Sequence, residues 1–236
     1  YESYLFEDFL ADALAGRRSN FNRWDDSGIQ KVKSIQDVDA RLDSRYRRLD
    51  LFREACNHRV AYKMPDVLPQ IEMLMDYYPD IKIIIMFREP EAVVQSLIDK
   101  HWFDWSIRSS SVMQGPWRAL GSADVPFWVP PGSLGTWQDA TEMERCFLYY
   151  CWQNESLVPL DKSKVCVVDY DSFVLNSTTE FQRVVDFLAA KPTSITADLL
   201  KTVKYQSNGT VGQTLDKISP ALKKRTISVL REIGYV

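Results

Sequence analysis

The chain lacks any apolar run of membrane-spanning length, and no stretch of it reads as a signal peptide. Metal-ligand spacing is missing as well: Cys56, Cys146, Cys151 and Cys166 fall into no zinc-type pattern, so they are expected to be buried free thiols in a reducing compartment. Histidine occurs only twice, at His58 and His101, which leaves few candidates for an imidazole base. No Walker motif is present, which argues against a nucleotide kinase. Excess positive charge is also wanting. The net charge is −3, so a nucleic-acid backbone is not expected as the principal partner, whereas a small anionic ligand needs only local positive charge. What remains is an ordinary globular balance, 45% hydrophobic and 26% charged over 236 residues, enough for one domain spanning 1–236 around a sizeable core.

Residues 81–101 organise the rest. Ile81 to Phe87 is a short apolar run rich in β-branched residues, expected as a strand buried on both faces. Pro90 suits the first turn of a helix, and Val93, Val94, Leu97 and Ile98 then recur at helical spacing. Arg88 falls at the carboxyl end of the strand, where open α/β sheets bind ligands, and Ser96 falls on the helix flank. An arginine fork, a hydroxyl and a helix N-terminus suit a phosphate. An arginine that merely caps a strand end fits the same letters.

Upstream, 1–15 reads as an amphipathic helix, 16–32 as a polar loop and 34–54 as a charged helix. Val60 to Met64 is a short strand ended by Pro65, and Val67, Ile71, Leu74 and Met75 mark a helix closed by Tyr78-Pro79-Asp80. This is the rhythm of a parallel sheet with crossover helices. Downstream, a helix over 141–157 is apolar all round and expected against the sheet. Lys164 to Asp169 is a strand, Phe181 to Leu188 lie on a helix, and 194–204 and 218–232 are helical. An insert at about 102–140 carries Trp102, Phe103, Trp105, Trp117, Phe127, Trp128 and Trp137 among Ser, Gly and Pro. Either a lid over an acceptor or a satellite aromatic cluster fits it.

Arg88-Glu89-Pro90 with Ser96 eight residues after the arginine resembles the 3′-phosphate-binding segment of sulfotransferases. Tyr62-Lys63-Met64-Pro65, Tyr78-Pro79-Asp80 and Val168-Asp169-Tyr170-Asp171-Ser172-Phe173 extend the similarity in order over most of 1–190. The resemblance is closest to bacterial and carbohydrate sulfotransferases. It implies an α/β fold, a three-layer parallel sheet flanked by helices in the P-loop NTPase-like architecture. It also implies 3′-phosphoadenosine-5′-phosphosulfate (PAPS) as sulfuryl donor, no metal, and a small-molecule or carbohydrate acceptor. On the same basis Arg88 and Ser96 bind the cofactor, and Lys63 of the Lys-x-Pro element faces the transferring group. Glu2 stands where the heparan-type members carry a glutamate base, with Tyr4 in place of their histidine. The cytosolic small-molecule members have a histidine just after the lysine. Met64 stands there here, leaving His101 as the next candidate base.

The family's Gly-rich 5′-phosphosulfate loop is expected upstream of Tyr1. Pro131-Gly132-Ser133-Leu134-Gly135-Thr136-Trp137 resembles it in letters, but no apolar strand leads in and no lysine or arginine lies inside, so it is expected as a plain loop. A sulfotransferase-like binding or scaffold protein without turnover is the competing reading. A cytoplasmic location is expected. The sequons at Asn154, Asn176 and Asn208, three among six asparagines, make the Golgi lumen the alternative.

Overall fold

The computed structural model describes residues 68–77, 79–104, 129–192, 200–201 and 214–234. The chain gathers into two compact units, one of 1–77 with 110–130, the other of 78–109 with 131–236. In the first unit a 3₁₀ turn at Leu68–Gln70 leads into α1, Ile71–Tyr77. This helix buries Ile71, Leu74 and Met75 at the expected i, i+3, i+4 spacing.

The second unit is built on β1 (Ile83–Phe87) and β2 (Val165–Asp169), paired in parallel with Phe87 opposite Asp169. Five more helices follow or separate the strands: α2 (Pro90–Asp99), α3 (Leu134–Asp139), α4 (Glu142–Glu155), α5 (Tyr170–Leu175) and α6 (Ser177–Phe187). A 3₁₀ turn, Thr214–Lys217, and α7, Pro220–Glu232, complete the described elements. Among the described residues the fold is therefore mostly helical, with one open two-stranded parallel sheet. This corrects the expected three-layer, multi-stranded architecture. The expectation that the Ile81–Phe87 strand is buried on both faces is corrected with it. Ile83, Ile85 and Phe87 are buried, but Ile84 is 41% and Met86 52% exposed, and on β2 Val167 is 42% exposed between buried Cys166 and Val168. Layers sandwiching the sheet would have covered those side chains.

The core sits on α4, which is also the best-determined helix in the sequence. Thr141 caps it in a reciprocal box with Glu144, and Phe147, Leu148, Tyr150, Cys151 and Trp152 are buried around its circumference. Its principal neighbours are α2 and α7 rather than the sheet. It reaches β1 through Tyr150, which packs with Phe87 and Leu230. Arg225 of α7 grips Glu155 with two 2.6 Å hydrogen bonds. Within the insert, Phe103 and Trp137 are fully buried and meet edge to face at 5.3 Å, Trp152 lies 6.0 Å from Trp137, and Tyr149 lies 5.4 Å from Phe103. These four rings pack as one aromatic cluster at the described ends of the insert. Trp105, Trp117, Phe127 and Trp128 lie outside the described residues.

The stretch expected as a plain loop is instead a 3₁₀ turn, Pro131–Ser133, running into α3. A methyl group added at Gly132 or Gly135 would meet no protein atom within 4 Å, so no packing within the protein requires glycine at either position.

The thiols behave as expected from their surroundings. Cys146, Cys151 and Cys166 are free and buried, while Cys56 lies outside the described residues. Burial pushes the Cys146 thiol up to about 12 and that of Cys151 to about 11, the latter moderated by Thr226 at 3.4 Å. Both stay neutral at ordinary pH, so native protein treated with iodoacetamide at pH 8 should leave both unmodified on peptide mapping. Because the folded pKa values lie above the unfolded one, their contribution to stability is complete below pH 9. It is lost as the pH rises from 9 towards 11–12. Labelling of either thiol in the native state at the unfolded rate would contradict the packing described.

Candidate functional site

Parallel pairing sends both chains out of the sheet on the same edge, the carboxyl ends of the strands. The residues that follow Phe87 and Asp169 are Arg88 and Tyr170, and they emerge side by side. The Arg88 guanidinium lies 4.7 Å over the Tyr170 ring, and its Nε is 3.5 Å from Asp171 Oδ1. Its carbonyl accepts a 3.0 Å hydrogen bond from the Tyr150 hydroxyl, which ties this edge to α4.

Local sequence explains the two turns. Glu89 is the N-cap of α2, its carboxylate accepting from the Ala92 amide at 3.1 Å, and Pro90 opens the helix. Asp169 caps α5 in the same way, accepting from the Ser172 amide at 2.7 Å. Burial raises the Glu89 pKa. Glu91 and Asp171 add to the rise, against the Ala92 hydrogen bond and the Arg88 charge. Glu91, one residue into α2, accepts from Thr214 at 3.4 Å and the Leu215 amide at 3.3 Å, bringing the 3₁₀ turn against the helix start.

Three buried polar atoms at this edge make no hydrogen bond: Arg88 Nε, Asp169 Oδ2 and Asp171 Oδ1. The Arg88–Asp171 contact is a charge pairing without hydrogen-bond geometry. The Arg88–Asp171 charge pairing offsets part of what leaving these groups without hydrogen bonds costs, and the edge retains polar capacity that a water or a ligand could meet. The guanidinium and the start of α2 favour an anion there, while Asp169 and Asp171 restrict where it can sit.

A sulfotransferase-family model matches residues 6–192. The chain belongs to the sulfotransferase family. No curated protein and no solved structure matches it at a significant level.

The sulfotransferase match takes in Lys63, Arg88 and Ser96, and leaves Glu2 outside. Of the expected site residues the structure describes two. Arg88 stands where expected, at the end of β1. Ser96 is half-buried in the second turn of α2, on the order of 9 Å along the helix from Pro90, and no hydrogen bond joins it to Arg88. Glu2 and Lys63 lie outside the described residues. His101 follows the far end of α2, which at ten residues is about 15 Å long, so it stands well away from the strand edge. Tyr150, Asp169, Tyr170 and Asp171 were not expected in the site. Asp169, Tyr170 and Asp171 lie in the strand-and-turn segment whose similarity was visible. Tyr150, 62 residues from its partner, left no local signal.

Proposed function

We propose that this sulfotransferase-family protein transfers the sulfuryl group of PAPS to a hydroxyl or amine of a small-molecule or carbohydrate acceptor. The observation that carries the reading is Arg88. It is an arginine at a strand's carboxyl end, beside a helix start, whose buried Nε makes no hydrogen bond among the described residues and has only the Asp171 carboxylate as a charge partner at 3.5 Å. In this reading Arg88 and the Ser96 hydroxyl hold the 3′-phosphate, and Tyr170 keeps the guanidinium plane in position. When bound, the cofactor supplies the sulfuryl group and an adenosine 3′,5′-bisphosphate leaving group. Lys63, assigned by its Lys-x-Pro setting, stabilises the charge that develops on the sulfuryl and leaving-group oxygens. Glu2, assigned by position in the segment, takes the proton of the attacking hydroxyl or amine.

Binding measurements on the full chain test the Arg88 role. Arg88→Ala should weaken adenosine 3′,5′-bisphosphate by about 1.5–3 kcal/mol, as for a charge-assisted hydrogen bond. Adenosine 5′-monophosphate, which has no 3′-phosphate, should bind mutant and wild type alike. Equal losses for both nucleotides would make Arg88 a structural residue.

One observation favours a second reading, nucleotide binding or scaffolding without turnover. The Asp171 carboxylate already pairs with the arginine and would compete with a phosphate. Asp171→Asn tests what the carboxylate does to nucleotide affinity, while transfer of labelled sulfuryl to an acceptor separates the two readings. A gain for the 3′-phosphate nucleotide means the carboxylate opposes the ligand, and a loss means it orients Arg88 for it.

A further inference from the structure

We propose that His101, Asp104 and Glu142 form a binding site for a divalent first-row metal ion such as zinc. The site joins the end of α2 to the start of α4, away from the strand edge. It does not depend on the PAPS reading.

The backbone at His101 is the first reason. Helix α2 ends at Asp99, and the chain closes it with two hydrogen bonds, His101 N–H to the Ile98 carbonyl at 2.9 Å and Trp102 N–H to the Leu97 carbonyl at 3.0 Å. This is a Schellman closure, whose left-handed residue is ordinarily glycine. Here it is histidine, at φ +50°. A side chain there costs on the order of 1 kcal/mol relative to glycine, with no gain to the closure itself. What the histidine gains is position: its Nδ1 lies 3.9 Å from Asp104 Oδ2.

The second reason is Glu142, the first residue of α4. Its Oε1 is buried and has no hydrogen-bond partner. Burial raises the pKa of this carboxyl, and the facing Asp104 charge raises it further. His101 and Arg145 offset only part of that. Two carboxylates are thus held towards each other with an imidazole beside them, and one ligand atom from each of the three residues lies within 4.8 Å of the others. Ligands at 2.0–2.2 Å from a tetrahedral zinc stand roughly 3.3–3.6 Å apart, so the 3.9 Å histidine–aspartate pair must close by about 0.5 Å, and the pairs with Glu142, bounded by 4.8 Å, by up to roughly 1.5 Å. The imidazole is 59% exposed and can turn by the smaller amount. One nitrogen and two carboxylate donors suit zinc or manganese, with water completing the shell.

The third reason is the frame. Arg145, one turn along from Glu142, donates from its guanidinium to the carbonyls of Trp137 at 3.0 Å, Gln138 at 2.9 Å and Phe103 at 3.5 Å. A buried arginine therefore pins the 101–104 turn to the start of α4, and the donors are presented by fixed backbone.

The test uses the full chain, stripped with a chelator and titrated with zinc by calorimetry, with thermal melts alongside. Wild type should bind one equivalent and melt higher as zinc is added. Asp104→Asn and Glu142→Gln should each weaken zinc at least about tenfold. His101→Gly is the sharper variant: it should fold at least as stably without metal, because glycine suits the closure, yet lose zinc affinity by a similar factor. Failure of wild type to bind zinc would overturn the site. So would zinc affinity that survives all three substitutions, which would place the ion elsewhere. An unchanged zinc titration with a more stable metal-free Glu142→Gln protein would mean that a shared proton, not a cation, relieves the two carboxylates.

Discussion

Lys63→Ala is expected to slow sulfuryl transfer by about 10²–10³-fold, the loss typical of removing one preorganised electrostatic donor. In the proposed mechanism, charge moves onto the sulfuryl and leaving-group oxygens as the S–O bond to the bisphosphate breaks. An ammonium that meets that charge only in the transition state lowers the barrier without tightening the ground state. Affinity for adenosine 3′,5′-bisphosphate should therefore change much less than turnover. Glu2→Gln should lower turnover by roughly 10²–10⁴-fold and leave nucleotide affinity nearly untouched, because in the proposed mechanism its partner is the acceptor proton. Steady-state rates at saturating donor, set beside nucleotide binding, check both. A Lys63→Ala protein that loses affinity and turnover equally would make the lysine a binding residue. An active Glu2→Gln enzyme would move the base elsewhere while leaving the sulfotransferase family assignment intact.

Trp137→Ala is expected to cost about 3–5 kcal/mol of folding stability, the range for truncating a large buried aromatic. The indole is fully buried, meets Phe103 edge to face and lies against Trp152, with the Arg145 guanidinium 5.7 Å over the ring. Those partners lie just past the end of α2 and on α4, facing α3 from two sides, so the cavity left behind cannot close by moving one of them. Against a typical total of 5–15 kcal/mol this is a large fraction, and it should appear as a lower urea midpoint at unchanged slope. A loss under about 1 kcal/mol would show that the aromatic cluster is peripheral to the fold.

Much of the local structure was legible because single residues dictate it. Pro90 fixes the start of α2, the Thr141–Glu144 box starts α4 within a residue of expectation, and two β-branched runs give β1 and β2 within two residues. The sheet's surroundings were not legible. Ile84 and Met86 continue an unbroken apolar run, and nothing in that run says whether a second layer covers alternate side chains. That is settled by distant chain, which leaves both exposed. The 131–137 stretch misled differently: with no apolar strand leading in and no lysine or arginine inside it, it was expected as a loop, whereas Leu134–Asp139 is a helix whose Trp137 is buried against Phe103. At the candidate site Arg88 was visible from its neighbours Glu89 and Pro90. Asp171 carries no charge signature of its own beside the motif. The His101–Asp104–Glu142 group escaped because only the first two are near in sequence and the third arrives with another helix.

The most direct test of the central claim is transfer itself. The full chain is incubated with PAPS labelled in the sulfuryl group and with pools of sugar, phenol and amine acceptors, and labelled product and adenosine 3′,5′-bisphosphate are measured together. A sulfotransferase acting through Arg88 should label an acceptor, release one bisphosphate per sulfuryl group moved, and lose both in Arg88→Ala at limiting donor. Tight binding of the bisphosphate with no label transferred to any acceptor class would contradict the enzyme reading and leave a nucleotide-binding member of the family.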